Sequence, residues 1–185
     1  SAVSMIPLYN WELEKAAGAA VIDYPRQYPH LRALGEDMHL AAHAALWGLV
    51  GRLLDRGQYV DRLTVLDEVR AAPEPYGGLG YVAGLWVHGV DLGPPEALVA
   101  YADRISRLAL LRRLRTLGEE MRELADAAPD DLDAQIVARV KAWRASRRRA
   151  WAVPTVELVP EEVPAAVVEE RRARWASVAA GEGGR

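Results

Sequence analysis

Residues 96–127 read EALVAYADRISRLALLRRLRTLGEEMRELADA, and no proline interrupts the run. Leu98, Tyr101, Ile105, Leu108, Leu111, Leu114, Leu117, Met121 and Leu124 recur every three or four residues, the spacing of one face of an α-helix. Gly93-Pro94-Pro95 precedes the stretch, and proline is well tolerated at a first helical position. A helix of this length spans roughly 48 Å at about 1.5 Å per residue, longer than a small domain is wide. It must project from the body or pack against a partner. Pro129-Asp130-Asp131 turns the chain, and Leu132, Ile136, Val140 and Trp143 define a returning helix. The spacing therefore predicts a long antiparallel hairpin over residues 93–149.

Upstream, helical spacing again dominates, and no stretch sustains the alternation of a half-buried strand. Asn10 reads as the N-cap of a first helix, Trp11 to Ile22. The segment from Asp23 to Leu34, with Pro25 and Pro29, reads as loop or turn. Asp37 is expected to cap a second helix carrying Met38, Ala42, Ala45, Leu46, Leu49 and Leu53, ended by Gly57. Asp61 opens a third with Val65, Leu66 and Val69, and Gly77-Gly78 introduces a fourth from Leu79 to Trp86. The expected fold is all-α: a compact helical head at residues 7–92, the hairpin, then a linker with one short terminal helix at 150–185. Residues 1–6 form an N-terminal extension. Arg144 and Arg147-Arg148-Arg149 make a basic cluster, read as the opening of the linker, and Pro154, Pro160 and Pro164 punctuate the stretch beyond it.

The 185 residues are 51% hydrophobic and 26% charged, enough apolar surface for a core. No apolar run reaches the ~18 residues of a membrane span, and no basic-then-apolar leader is visible. There is no cysteine, which removes disulfides, thiol nucleophiles, zinc fingers and iron–sulfur clusters together. A cytoplasmic protein with no membrane partner is the expectation. The net charge of −3 is far from that of a strong electrostatic nucleic-acid binder, so any polyanion contact should be local, in the more basic C-terminal stretch 144–185.

Four patterns bear on catalysis. Gly78-Leu79-Gly80-Tyr81-Val82-Ala83 fits a dinucleotide fingerprint, but that motif needs a preceding strand, and Pro73 and Pro75 oppose one, so a glycine turn is the reading. His39 and His43 stand four apart, as metal ligands on one helix face do, yet Leu40 occupies the place of the metalloprotease glutamate. They read as surface or core-edge imidazoles, with no metal and no other cofactor expected. Glu12 and Glu14 point in different directions on a helix and read as acidic groups favourable to the helix start. Neither Lys15 nor Lys141 follows a glycine, so the chain cannot build the G-x-x-x-x-G-K-[ST] loop of an ATP site. No G-x-S-x-G supports a serine hydrolase either.

The order of the pieces resembles the N-terminal domain of DnaB-type replicative helicases over residues 7–143. Pro7-Leu8-Tyr9-Asn10-Trp11-Glu12-Leu13-Glu14 is similar to the family's opening P-x-x-N-x-E-A-E, and Gly18 comes after it. His43 takes the place of the histidine in the family's second helix. Residues 55–65, ending Gly57-Gln58-Tyr59-Val60-Asp61-Arg62-Leu63-Thr64-Val65, resemble the G-x-x-[VI]-D-x-x-T-[VL] turn. Gly77-Gly78-Leu79-Gly80-Tyr81 resembles G-G-x-x-Y, and Tyr101-Ala102-Asp103-Arg104-Ile105 resembles the helix leading into the hairpin. The aromatic pair before the histidine is missing, Asp91-Leu92-Gly93-Pro94-Pro95 replaces a small-residue segment, and no RecA-like motor is present in these residues.

The resemblance implies a non-catalytic oligomerisation and interaction module of DNA replication: a homo-oligomer, dimer or trimer of dimers, that contacts primase or another replication protein. The native protein would be an ATP-dependent DNA helicase if it continued past Arg185 into a motor. The hairpin face Leu98, Tyr101, Ile105, Leu108, Leu111, Leu114, Ile136 and Val140 is the expected oligomer interface, since so wide an apolar stripe is more than one return helix covers. The rival is a monomer whose head folds back over it. Val167, Val168 and Trp175 resemble the linker helix that docks on a neighbouring motor. The alternative function is a stand-alone single-stranded nucleic-acid-binding or helicase-regulating protein, using Arg144, Arg147, Arg148 and Arg149 on phosphates with Trp143 or Trp151 stacking on bases.

Overall fold

A computed structural model describes residues 7–86, 95–151 and 173. The expected N-terminal extension 1–6 lies outside the described residues, as does the expected terminal helix apart from Ala173, with its Val167, Val168 and Trp175. Among the described residues the elements are α-helices and 3-10 turns, with no strand. The head holds α1 (Trp11–Asp23), a single turn α2 (Tyr28–Leu31), α3 (Ala41–Asp55), α4 (Arg62–Ala71) and α5 (Leu79–Gly84). The hairpin is α6 (Pro95–Ala127) and α7 (Leu132–Trp151). This is the all-α head and hairpin that the periodicity predicts.

Local chemistry explains the boundaries. Asn10 Oδ1 accepts the Leu13 N–H at 3.0 Å, and Asp61 Oδ1 accepts that of Thr64 at 2.8 Å. Both are N-caps satisfying an otherwise orphaned donor. Gly57, at φ +68°, comes after α3 in the left-handed conformation that a helix end favours. Gly77 and Gly78 also take positive φ, and a 3-10 turn (Glu74–Tyr76) precedes them, so the glycine pair is a turn into α5 and no strand leads into it.

Three boundaries differ from expectation. The segment read as loop after Asp23 contains two 3-10 turns and α2, because each proline sits at a first-turn position where no N–H is needed. Asp37 does not cap α3, which begins at Ala41 behind Leu40. Its buried carboxylate accepts the Ser106 hydroxyl at 2.8 Å and pairs with Arg113, tying the head to α6. Finally, α7 runs on through residues 144–151, so the basic cluster lies within the helix rather than in a linker. No proline stands between Leu132 and Trp151 to stop it.

The core gathers Ala17, Val21 and Ile22 of α1, Leu46, Trp47, Leu49, Val50 and Leu53 of α3, Val65 and Val69 of α4, and Leu98, Ala102 and Ile105 of α6. Trp47 replaces the absent phenylalanine as its largest fully buried side chain, and its indole N–H donates to the Leu31 carbonyl at 3.2 Å. The alanines of α1 let α6 approach closely. Leu98 and Ile105, expected on an oligomer interface, are instead buried under the head, at 0% and 2% exposure. The wide apolar stripe of α6 is shared: its N-terminal half covers α1, and its C-terminal half pairs with α7, burying Leu124.

Gly51 marks the tightest approach inside the head. A Cβ there would overlap the hydroxyl and ring of Tyr28, and that ring is buried and cannot swing away. Gly51→Ala should therefore destabilise the chain by about 1–3 kcal/mol, the usual range for overpacking a core. Urea denaturation monitored by circular dichroism checks this; an unchanged midpoint would contradict the packing described.

Candidate functional site

Glu14 lies in the first turn and a half of α1, at 2% exposure. Its side chain reaches the entrance of α3, where Oε1 accepts the His39 N–H at 2.7 Å and Oε2 accepts the Leu40 N–H at 3.2 Å. Oε2 also lies 2.8 Å from His43 Nδ1. An ionised carboxylate only accepts, so the imidazole Nδ1–H donates to it. In the neutral ring Nε2 then accepts the Tyr81 hydroxyl, 2.6 Å away. The Tyr81 ring also stacks against His43, with centroids 5.9 Å apart. The three side chains come from α1, α3 and α5, and the Gly77-Gly78 turn delivers the tyrosine.

Burial pushes the Glu14 carboxyl up, but the His43 hydrogen bond and the two backbone N–H groups together hold it below its ordinary value. Burial likewise raises the Tyr81 hydroxyl, with Lys15 acting against it. Both ring nitrogens of His43 are engaged, and His39 precedes α3 with its ring stacked on Tyr9 at 4.6 Å. The two histidines are thus core and edge imidazoles in separate surroundings. Glu14 is not merely a carboxylate at a helix start, as its local pattern suggests; it is the joint between two helices. Its i+29 relation to His43 is invisible to any local pattern.

The hairpin presents a different kind of surface. Leu111, Leu114 and Val137 are 45%, 45% and 65% exposed, while Tyr101, Leu108, Ile136 and Val140 are half-buried. Between the head and the hairpin lies a cleft of about 730 Å³, lined by His39, Arg112, Arg113, Leu117, Arg139 and Trp143 among others. Arg112 donates to the Leu8 carbonyl at 2.7 Å and to that of Asp37. Arg144 and Arg147 are exposed on α7, and the side chains of Arg148 and Arg149 lie outside the described residues.

With its carboxyl depressed in the folded state, Glu14 contributes stability that is fully present above its unfolded value near 4.5 and is lost as the pH falls through the folded value. The wild-type chain should lose stability steeply below about pH 4.5, and Glu14→Gln should flatten that part of the profile. At neutral pH, Glu14→Ala should cost about 3 kcal/mol, because it strips the partners of a buried charged network. Urea titrations at several pH values test both; parallel pH profiles for wild type and Glu14→Gln would refute the assignment.

No family model matches the chain. It is 32% identical over 133 residues to the replicative DNA helicase DnaB of Geobacillus stearothermophilus, covering 69% of this chain and 28% of that relative's length. Among solved structures, the N-terminal domain of DnaB helicase from Mycobacterium tuberculosis superposes with a TM-score of 0.62 at 21% identity, covering 74% of this chain and 99% of that one. The second likeness is one of fold, and the first carries it into sequence. The chain spans about a quarter of the length of that curated relative, and it is a DnaB-type N-terminal domain.

Proposed function

We propose that the chain is a non-catalytic oligomerisation and protein-interaction module of DNA replication, the collar portion of a replicative helicase, with primase as a partner. The supporting observation is the surface of the hairpin: Leu111, Leu114 and Val137 remain exposed after the head has covered Leu98 and Ile105. Exposed leucines clustered on one long helix mark association surfaces more often than scattered single ones do. The interface in this reading is the distal face of Leu108, Leu111, Leu114, Ile136, Val137 and Val140, with Tyr101 at its edge. Val167, Val168 and Trp175 would dock on a motor domain. The unwinding activity would reside in that motor, since these residues carry no lysine-bearing phosphate loop.

Nucleic-acid binding by the basic cluster has less support. Of the two expected stacking platforms, Trp143 lines the cleft and buries its indole nitrogen, and the Trp151 side chain lies outside the described residues. Arg144 and Arg147 are exposed on a helix C-terminal region, where cations favour the dipole without any ligand.

Light scattering of the full chain at tens of micromolar should give an oligomer that hardly responds to salt between ~50 and ~200 mM, in contrast to phosphate contacts. Leu111→Glu with Leu114→Glu should yield a monomer with unchanged helicity, because both positions are exposed. A wild-type chain that is monomeric throughout would overturn the assembly reading. Primase pull-down with the same pair of variants tests the partner.

A further inference from the structure

Gly118 stands inside α6 with nothing in its surroundings that requires a glycine. It is not among the residues of positive φ. A Cβ added there meets no atom of the described residues within 4 Å, in contrast to Gly51, where Tyr28 fills the space. A glycine inside a helix costs stability relative to alanine. No contact within the chain offsets that cost, whereas a bare backbone admits a close neighbour from outside it. The rest of this face suits such a neighbour. Leu114 and Leu111 precede Gly118 by four and seven residues, which places all three on one side of the helix, and both leucines are 45% exposed.

The charge of the hairpin changes sign at the same residue. Residues 104–118 carry five arginines and no carboxylate, and residues 119–133 carry seven carboxylates and one cation, Arg122. Arg112 and Arg113 are turned to the head, but Arg104, Arg107 and Arg115 are exposed. All the carboxylates except Glu120, which pairs with Arg139, are exposed as well. A surface that is basic on one side of Gly118 and acidic on the other is complementary to itself when turned end for end. Two copies crossing antiparallel there set each arginine stretch beside the other's carboxylates. A parallel pair would set like charge on like, an arrangement that disfavours association. Exposed ion pairs add little affinity of their own; their part is to select the orientation.

We propose that the α6 helices of two copies of this chain cross antiparallel with Gly118 on the twofold axis, and that Leu111 and Leu114 of each copy pack beside the crossing. This rests on the oligomer reading and adds to it the point of contact and the direction. With no Cβ at the crossing, the two axes come within about 8 Å, the short end of the usual range for packed helices. Arg107 of one copy then comes level with the Pro129-Asp130-Asp131 turn of the other. A twofold contact is isologous, so only a residue on the axis meets itself.

The chain has no cysteine, so single cysteines in the full chain report on the contact directly. Under mild oxidation Gly118→Cys should cross-link to itself, since Cα atoms within about 7 Å can be bridged. Arg107→Cys should not link to itself, yet should link to Asp130→Cys when the two variants are mixed. Gly118→Leu should retain its helicity by circular dichroism, the site being open within one chain. In sedimentation velocity the same variant should weaken self-association by about tenfold or more, because its side chains collide at the crossing. Self-linking of Arg107→Cys would reveal a parallel pair and overturn the proposal. An oligomer that Gly118→Leu leaves intact and Gly118→Cys fails to link would overturn it too, while the oligomer reading survived. A wild-type chain that stays monomeric removes both.

Discussion

A single carboxylate with no access to water organises the head. Glu14 faces backbone donors of a segment that no hydrophobic contact could satisfy, the two residues in front of α3. Burying a charge is costly unless it is paired and hydrogen-bonded, and here the His43 imidazole supplies a third donor. The arrangement sets the register of α1 against α3, and with it which face of each helix meets the core. Ala17, Val21 and Ile22 then join Leu46, Leu49 and Val50 in one core, and Tyr81 closes the network from α5.

A second polar joint performs the same task between head and hairpin. Asp37 accepts from Ser106 and Arg113, and Arg112 reaches the Leu8 and Asp37 carbonyls. Apolar burial of Leu98 and Ile105 drives α6 onto α1 but is nearly indifferent to small slides along the axis. These directional contacts are not. Packing supplies the adhesion, and hydrogen bonding supplies the alignment.

Short-range information in the sequence carried the helices well. Asn10, Asp61, Gly57 and Pro95 each act where local capping chemistry places them, and the three-to-four residue recurrence in residues 96–127 corresponds to one continuous helix. What escaped was partner choice across long sequence separations. Asp37 looks like a cap because it precedes an apolar stripe, yet its carboxylate is claimed from 69 residues away. Leu98 and Ile105 look identical in pattern to Leu111 and Leu114; only the position of the head decides that the first pair is buried and the second exposed. The Glu14–His43–Tyr81 network was divided among three motifs that resemblance aligned and periodicity could not connect. Arg144 looks like the opening of a linker because charge density rises there, but charge alone does not end a helix.

The unbroken course of α6 from head to hairpin tip makes it a lever. Its last residue buried under the head is Ala109, and from there to Ala127 the axis extends about 27 Å. Helices bend sharply at prolines or inserted groups, and this stretch has no proline, its one glycine being Gly118 midway along it. A tilt of ~10° imposed where α6 crosses α1 moves the far end by about 5 Å, the height of one helical turn. Conversely, a load on the hairpin tip delivers its torque to the seat formed by α1 and Asp37. The head and whatever grips the hairpin are geared to each other mechanically, with no soft joint between them to absorb the motion.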